Sequence, residues 1–329
     1  MHRLADTRVS PSCRALVAAL ALAPASCGAR SGLPIPDAQG GSSSSSSSSQ
    51  TSSATTSATT TSATTTSATT VSSSATGVPM CAPDALFVYV VSQQNDIYRF
   101  DPPAKTFNLV WPLTCVVPAG QVPNSMAVDR DGIAWINYND FQATNPQGSI
   151  FRVNLADGMC TPSGISLATE WQLVGMGFAV DPTSATGESL FLTSKVGHLG
   201  RVDLNANTVV PVGALGPPLG GNRSELTGAP DGRLFALVDS NPASLVSVDK
   251  TNAAVLQVFG LSGLNGPFAD FAFSFWGGDF YLYTSTNATG GSSVARYDPT
   301  NGSLDPSYVP DAGFSIVGAG VAPCAVVQP

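Results

Sequence analysis

Histidine is the residue type that most restricts the chemistry open to this chain. Only two of the 329 residues are histidines, His2 in an N-terminal leader and His198. A metal site with two histidine ligands therefore cannot form beyond the leader. A serine–histidine–aspartate triad would have to use His198, and no Gly-x-Ser-x-Gly segment accompanies it. We expect His198 to be a structural residue at a turn.

Phosphate and nucleic-acid chemistry are also disfavoured. The glycine-rich stretch 216–221 lacks the lysine and the strand–helix context of a phosphate-binding loop. The formal net charge is −8, and no cluster of Lys or Arg is available to neutralise the phosphates of a nucleic acid. We therefore expect no nucleic-acid partner.

The leader has the features of an export signal. Three arginines precede the apolar run 15–23, which is too short to span a bilayer as a helix but suits a signal-peptide core. Small residues then lead to Cys27 in an arrangement that resembles the bacterial lipobox, except for Pro24. We predict a lipoprotein-type signal over residues 1–27 with Cys27 lipidated. The alternative is cleavage after Ala25, which would give a soluble secreted protein.

Residues 28–76 predict a disordered tether rich in Ser and Thr. Positions 41–76 are almost entirely Ser, Thr and Ala, which offer little apolar surface to offset the entropy cost of folding. As a flexible coil, the tether would have a root-mean-square reach of about 35–42 Å. The remaining residues, 77–329, contain only three Glu and three Lys, so we expect few helices there.

Two sequence phrases recur along residues 77–329. The first pairs apolar with polar residues and ends in Asp or Asn. It occurs, at intervals of 53, 49, 46 and 49 residues, at 98–101, 151–154, 200–203, 246–249 and 295–298. The second reads as a strand, a turn containing Gly or Asp, and a strand, as at 126–136 and 226–237. Two hairpins per repeat match a four-stranded blade of a β-propeller.

The two ends of the domain predict how the ring closes. Segment 81–89 matches the second strand of later units, and segment 316–324 matches a first strand and its turn. The C-terminal strand should therefore complete the N-terminal blade, which leaves no long exposed sheet edge. We predict an all-β propeller of about five four-stranded blades, with six as the alternative count. The alternative fold is a β-sandwich, whose strands do not repeat at a fixed period.

The closure also predicts the disulfides. Four cysteines lie in the domain, an even number that is typical of a disulfide framework in exported proteins, and none forms the Cys-x-x-Cys pair of a zinc site. Cys81 and Cys324 flank the closing hairpin, so we expect them to be bonded, with Cys115 bonded to Cys160. No free thiol then remains as a nucleophile.

The blade pattern over residues 81–324 resembles the NHL-repeat, gluconolactonase-like and streptogramin-lyase-like propellers. With its Ser/Thr-rich tether, the chain is also similar to secreted propeller lipoproteins of myxobacteria. The lyase family uses catalytic histidines that this chain lacks. The lactonase-like resemblance implies Glu, Asn and Asp ligands around a divalent ion such as Ca²⁺. The matching positions here are Glu225, Asn124 and Asp270.

Two functions follow as hypotheses. The first is a non-catalytic exported binding module without a cofactor, monomeric, on the outer membrane, cell surface or in the periplasm. It would bind an unknown protein or small molecule and touch the membrane only through its N-terminal lipid. Loop aromatics such as Trp276 and Tyr138 are recognition candidates, although most aromatics should fill the core. The alternative is a metal-dependent lactonase-like hydrolase, which requires Glu225, Asn124 and Asp270 to converge within about 5 Å.

Overall fold

The structure is a computed structural model that describes residues 80–141, 143–216, 220–286 and 290–325. The predicted signal, Cys27 and the tether lie outside these residues. Strands dominate the described part, together with two short 3₁₀ helices at Pro83–Leu86 and Thr169–Trp171. No helix within these ranges has the length and apolar character needed to cross a membrane.

The strands form five antiparallel sheets of four strands each. Blade 1 contains β1 (Val88–Ser92), β2 (Asp96–Asp101), β3 (Thr106–Pro112) and β20 (Ile316–Gly320). Blade 2 contains β4 (Val122–Val128), β5 (Ile133–Asn139), β6 (Gly148–Asn154) and β7 (Cys160–Pro162). Blade 3 contains β8 (Val174–Val180), β9 (Glu188–Ser194), β10 (His198–Asp203) and β11 (Thr208–Ala214). Blade 4 contains β12 (Ser224–Gly228), β13 (Leu234–Val238), β14 (Ser244–Val248) and β15 (Val255–Gly260). Blade 5 contains β16 (Phe271–Trp276), β17 (Asp279–Thr284), β18 (Ser293–Asp298) and β19 (Ser303–Val309).

Both repeated phrases correspond to fixed places in a blade. The first phrase is the third strand counted from the ring centre, which is β2, β6, β10, β14 and β18. The second phrase is the inner hairpin, such as β4–β5 and β12–β13. The predicted all-β propeller of five four-stranded blades is confirmed, and neither six blades nor a sandwich forms.

The C-terminal strand closes the ring as predicted. Strand β20 pairs with β1 in antiparallel register, with Tyr89 opposite Gly320 and Val91 opposite Gly318. The inner strands β4, β8, β12, β16 and β20 contact one another in that order, and β20 contacts β4. Every inner strand therefore has a neighbouring inner strand on each side.

Five apolar clusters make up the core, one at each interface between neighbouring blades. Strand β1 shows how one sequence serves two clusters. Tyr89 and Val91 pack toward blade 2, while Val88 and Val90 pack toward blade 5. Because successive side chains of a strand point to opposite faces, a blade buried on both faces needs a continuous apolar run.

Two disulfides reinforce blades 1 and 2, and they have the pairing expected from the blade order. Cys81 is bonded to Cys324, with 5.8 Å between the Cα atoms, where the chain closes the ring. Cys115 is bonded to Cys160, with 5.3 Å between the Cα atoms, and connects the segment after β3 to β7.

Candidate ligand-binding site at the channel mouth

A cavity of about 160 Å³ lies at the end of the ring where the inner strands begin. Antiparallel blades bring the turns between second and third strands to this same end. We name it the channel mouth, and all five blades line it. Its lining comprises residues 122–124, 173–175, 223–225 and 269–271 at the inner strands, Val317, residues 193–194 at the end of β9, and the turn residues Gln93, Phe141 and Lys195.

Glu225 is the central acidic residue of the channel mouth. Its Oε2 accepts a hydrogen bond at 2.6 Å from the hydroxyl of Ser125, so that a side chain of blade 4 meets one of blade 2 across the channel. The Ser125 hydroxyl also accepts the amide hydrogen of Met176 in blade 3, at 3.0 Å. Burial raises the pKa of Glu225 well above its usual range, opposed by Ser125, the Met176 amide and Arg223. The neutral carboxyl form is therefore favoured.

Asn124 is held by hydrogen bonds within its own blade 2 and to the neighbouring blade 3. Its Nδ2 donates to Oδ1 of Asn137 at 3.0 Å and to the carbonyl of Val174 at 2.8 Å. These hydrogen bonds fix the amide between β4, β5 and the start of β8. The side chain is consequently preorganised at the wall of the cavity.

Asp270 and Arg223 form the side of the mouth at blades 4 and 5. Oδ2 of Asp270 accepts a hydrogen bond from the Ser285 hydroxyl at 3.1 Å. Burial raises the pKa of Asp270, while Ser285 and Arg223 oppose the shift. Nη2 of Arg223 lies 2.6 Å from Oδ2 of Asp239, and its guanidinium stands 5.0 Å from the centre of the Phe271 ring.

The residues predicted as metal ligands thus line one cavity, but they fit a divalent ion poorly. Oε2 of Glu225 and Oδ2 of Asp270 already accept hydrogen bonds, whereas the hydrogen bonds of Asn124 come from its amide nitrogen, which is not a metal ligand. Beyond this set of Glu, Asn and Asp, the described ranges contain no group of three or more His, Cys, Asp or Glu side chains that could hold a metal ion. The favoured neutral form of Glu225 and the two cations on the wall, Lys195 and Arg223, also oppose binding of a divalent cation.

No family model matches this chain, and no curated protein matches it. Solved structures match it at low identity. Regucalcin from Agrobacterium tumefaciens, described as a calcium-binding protein, is 16% identical over 64% of this chain and 68% of its own, with a TM-score of 0.43. TolB from Acinetobacter baumannii is 17% identical over 70% of this chain and 54% of its own, with a TM-score of 0.41. An auxiliary nutrient binding protein from Bacteroides thetaiotaomicron is 12% identical over 67% and 53%, with a TM-score of 0.40.

These similarities concern the propeller fold alone. The chain spans about half the length of the last two proteins, 54% and 53%. No family is assigned to it, and the predicted resemblance to lactonase-like, NHL-repeat or myxobacterial propellers stays a prediction. The candidate site therefore has to be interpreted from its own side chains.

Among the residues of the channel mouth that the sequence did not single out, Phe141, Lys195 and Arg223 bear most on ligand binding. Half of the Phe141 surface is exposed, and Lys195 is an exposed residue in the turn after β9. The signal that identifies them is blade register. Turns between second and third strands lie beside the start of each inner strand, so an alignment of the five repeats would have placed these residues together.

The recognition candidates among the aromatics lie elsewhere. Tyr138 is fully buried, and its hydroxyl donates to Oδ1 of Asn95 at 2.7 Å, so it belongs to the core between blades 1 and 2. Trp276 packs between blades 5 and 1 and donates to the carbonyl of Leu86 at 3.1 Å. Neither lines the channel mouth.

His198 and the repeated Asp residues have structural surroundings. His198 begins β10, and its Nδ1 hydrogen-bonds Oε1 of Glu170; neither residue is part of the cavity lining. In the turn after β4, Asp129 accepts the amides of Asp131 and Ile133 at 3.0 and 2.9 Å and the indole of Trp135 at 2.8 Å. Equivalent side-chain-to-amide bonds occur at Asp231, Asp249 and Asp298.

Glu188 is a second buried acid, at the opposite end of the ring. It bonds the amide of Arg130 at 2.9 Å, and its Oε2 lies 3.3 Å from the Arg130 guanidinium nitrogen Nε. Burial raises the pKa of Glu188 to about 7, opposed by Arg130. Both side chains are almost completely buried, so the pair links blade 2 to blade 3.

Proposed function

We propose that this protein is an exported binding module that holds a small ligand at the channel mouth. The observation that carries the proposal is the convergence of side chains from separate blades on one cavity. Asn124 comes from blade 2, Lys195 from blade 3, Glu225 from blade 4 and Asp270 from blade 5. Small-molecule sites in proteins are typically concave, with a few fixed polar groups among apolar ones.

The closed ring supports this proposal because it fixes the polar groups in advance. Each inner strand lies between two others, and the hydrogen bonds of Glu225 and Asn124 cross from one blade to another. Binding a ligand to such a wall costs little conformational entropy. Because these hydrogen bonds already engage Glu225 and Asn124 in holding the blades together, we propose binding rather than catalysis.

The test is to block the channel mouth without disturbing the core. Val122 opens β4, is about one-third exposed and lines the mouth, so Val122→Trp should fill part of the cavity. Val258, an exposed residue on the outer strand β15, supplies the matched control Val258→Trp. The full chain would be titrated by ligand-observed NMR with neutral sugars, amides and small aromatic acids.

We expect probes that bind the wild type and Val258→Trp to lose about tenfold or more in affinity for Val122→Trp. The Trp side chain would occupy the volume that the probe needs. Probes that bind all three proteins equally would place the binding surface elsewhere and contradict the proposal.

A divalent-metal-dependent hydrolase of the lactonase type is the second candidate, because Glu225, Asn124 and Asp270 line the same cavity. Calorimetry with Ca²⁺ on the wild type, Glu225→Ala and Glu225→Gln tests it. Heat of binding that disappears in both variants would favour the hydrolase. No heat with the wild type would remove the metal proposal and leave the binding module intact.

We further propose that the protein is anchored outside the cytoplasm through a lipid on Cys27. The two disulfides are typical of an oxidising compartment outside the cytoplasm. In a bacterial host, the wild type should partition into the detergent phase of a Triton X-114 extract, and Cys27→Ser should move to the aqueous phase. Identical partition of both proteins would support soluble secretion instead.

A further inference from the structure

We infer that the channel mouth takes an organic carboxylate and that the ammonium group of Lys195 receives the anionic group. This inference deepens the proposed function, since it depends on the channel mouth being the ligand site. It rests on one cation of the cavity wall that has no protein partner among the described residues, on one hydroxyl in that wall, and on the shape of the cavity.

Lys195 differs from the other cations of the described ranges. Each of the other nine Lys and Arg side chains has a partner. Six of them bind acids or carbonyl groups: Arg130, Arg201, Arg223, Arg233, Lys250 and Arg296. The other three stand over aromatic rings: Arg99, Lys105 and Arg152. Within the same ranges, Lys195 has neither a hydrogen bond nor an ion pair nor a ring contact, and it lines the cavity.

The other charged groups of the wall have protein partners. Arg223 lies 2.6 Å from Asp239 and is also in the field of Asp270. Asp270 and Glu225 accept hydrogen bonds from Ser285 and Ser125, and burial favours the neutral form of Glu225. Among the described residues of the wall, Lys195 is the charged group without a partner, and an anionic ligand group would pair with it.

Ser224 provides a second, independent indication. It is 95% buried and belongs to the cavity wall, and its Oγ has no hydrogen-bond partner among the residues that the structure describes. Buried hydroxyls are rarely left unpaired, because losing their hydration costs about 1–3 kcal/mol. The Ser224 Oγ is itself inaccessible, so a ligand oxygen would accept this hydrogen once the side chain rotates toward the cavity.

The apolar part of the wall indicates the rest of the ligand. Phe141 and Val122 present exposed apolar surface to the cavity, and Phe271 lies behind Arg223. The volume of about 160 Å³ is close to that of a cavity that accommodates one benzene ring. A ligand with a carboxylate and a small apolar or aromatic group would therefore match both the polar part of the wall, at Lys195, and its apolar part, at Phe141 and Val122.

The test uses three probes of one shape and different charge: 4-fluorobenzoate, 4-fluorobenzamide and 4-fluorobenzylamine. Their dissociation constants for the full chain would be measured by ¹⁹F NMR at low and high salt. We expect the benzoate to bind at least about fivefold more tightly than the benzamide at low salt, because the carboxylate forms an ion pair with the Lys195 ammonium, whereas the amide offers that ammonium only a neutral acceptor. The ratio should fall with added salt.

Lys195→Gln should reduce the benzoate-to-benzamide preference to about one, and Lys105→Gln, an exposed lysine remote from the mouth, should retain it. The chain carries a net charge of −8, so a general attraction of anions to its surface is not expected. Both substitutions are at turns, and thermal unfolding would verify that both variants fold.

The inference is overturned if the benzylamine binds most tightly, if benzoate and benzamide bind equally, or if no probe binds at millimolar concentration. A separate result would contradict the proposed function: probes of every charge would bind Val122→Trp with the same affinity as the wild type. A benzoate preference unchanged in Lys195→Gln would also overturn the role of Lys195.

Discussion

At the scale of single residues, Glu225 and Asp181 show how burial and hydrogen bonding shift a carboxyl pKa in opposite directions. Glu225 is enclosed among inner strands, and burial outweighs its hydrogen bonds and raises its pKa. Asp181, in the turn after β8, is less deeply enclosed, and its hydrogen bonds outweigh burial and lower its pKa. The direction of each shift depends on the balance between burial and hydrogen bonds.

Glu225→Gln should leave the free energy of unfolding within about 1 kcal/mol of the wild type, because the amide oxygen still accepts the Ser125 hydrogen bond. Glu225→Ala should cost about 1–3 kcal/mol, because the Ser125 hydroxyl loses its acceptor. Urea denaturation at neutral pH measures both values. Equal destabilisation by the two substitutions would show that the carboxylate charge itself is required.

Asp181 should contribute a pH-dependent part of the stability. Burial alone would raise its pKa, but hydrogen bonds from Thr183, Ser189 and Arg201 lower the pKa from 3.8 to about 2. The folded state therefore binds its proton less readily than the unfolded state, so the contribution is complete above the unfolded pKa and disappears as the pH falls toward the folded pKa.

Denaturation series between pH 5 and about pH 2 would check this expectation. The loss of stability on acidification should be smaller in Asp181→Asn, and Arg201→Gln should reduce the loss by an intermediate amount. An unchanged pH dependence in Asp181→Asn would contradict the assignment.

At the scale of elements, the inner strands approach one another backbone to backbone. A Cβ added at Gly175 of β8 would lie 1.9 Å from the carbonyl oxygen of Ser224, and one added at Gly318 of β20 would lie 2.6 Å from the amide nitrogen of Met126. Glycine at these points allows the narrow channel in which Ser125 and Glu225 meet. These glycines therefore set both the spacing of the inner strands and the contact between Ser125 and Glu225 at the site.

Gly175→Ala should destabilise the domain by about 3 kcal/mol, because the new methyl group forces β8 away from β12. Gly260→Ala on the outer strand β15 is the matched control, since a Cβ there meets no atom within 4 Å. Thermal and urea unfolding would compare the two variants. Similar stabilities for both would mean that the inner strands can separate at no cost.

At the scale of the whole molecule, the ring is held at its closing blade by both hydrogen bonds and a covalent bond. Strand β20 comes from the C-terminus and pairs with β1, and Cys81–Cys324 joins segments 243 residues apart. Cys115–Cys160 spans only 45 residues. In the chain-entropy description, the longer loop constrains the unfolded chain more strongly.

The double substitution Cys81→Ser with Cys324→Ser should lower the free energy of unfolding by about 5 kcal/mol, and Cys115→Ser with Cys160→Ser by about 4 kcal/mol. Urea unfolding of both double variants beside the wild type tests the order. A larger loss from the Cys115–Cys160 pair would contradict the expected dependence on loop length.

The sequence alone determined the blade architecture. The repeated phrases mark the third strand and the inner hairpin of each blade, and the mismatched ends at 81–89 and 316–324 indicated that β20 completes blade 1. These features are readable because strand alternation and turn chemistry act over a few residues. The disulfide pairing followed from the same order, since it needs only the knowledge of which segments are neighbours.

The tertiary structure alone decided how the channel mouth is composed. Ser125 and Glu225 are 100 residues apart and meet across the ring, and Lys195 reaches the cavity wall from a turn in blade 3. The raised pKa of Glu225 and the lack of a partner for Lys195 among the described residues depend on burial and on the contacts of neighbouring groups. Such properties come from contacts between distant segments, which no local pattern in the sequence records.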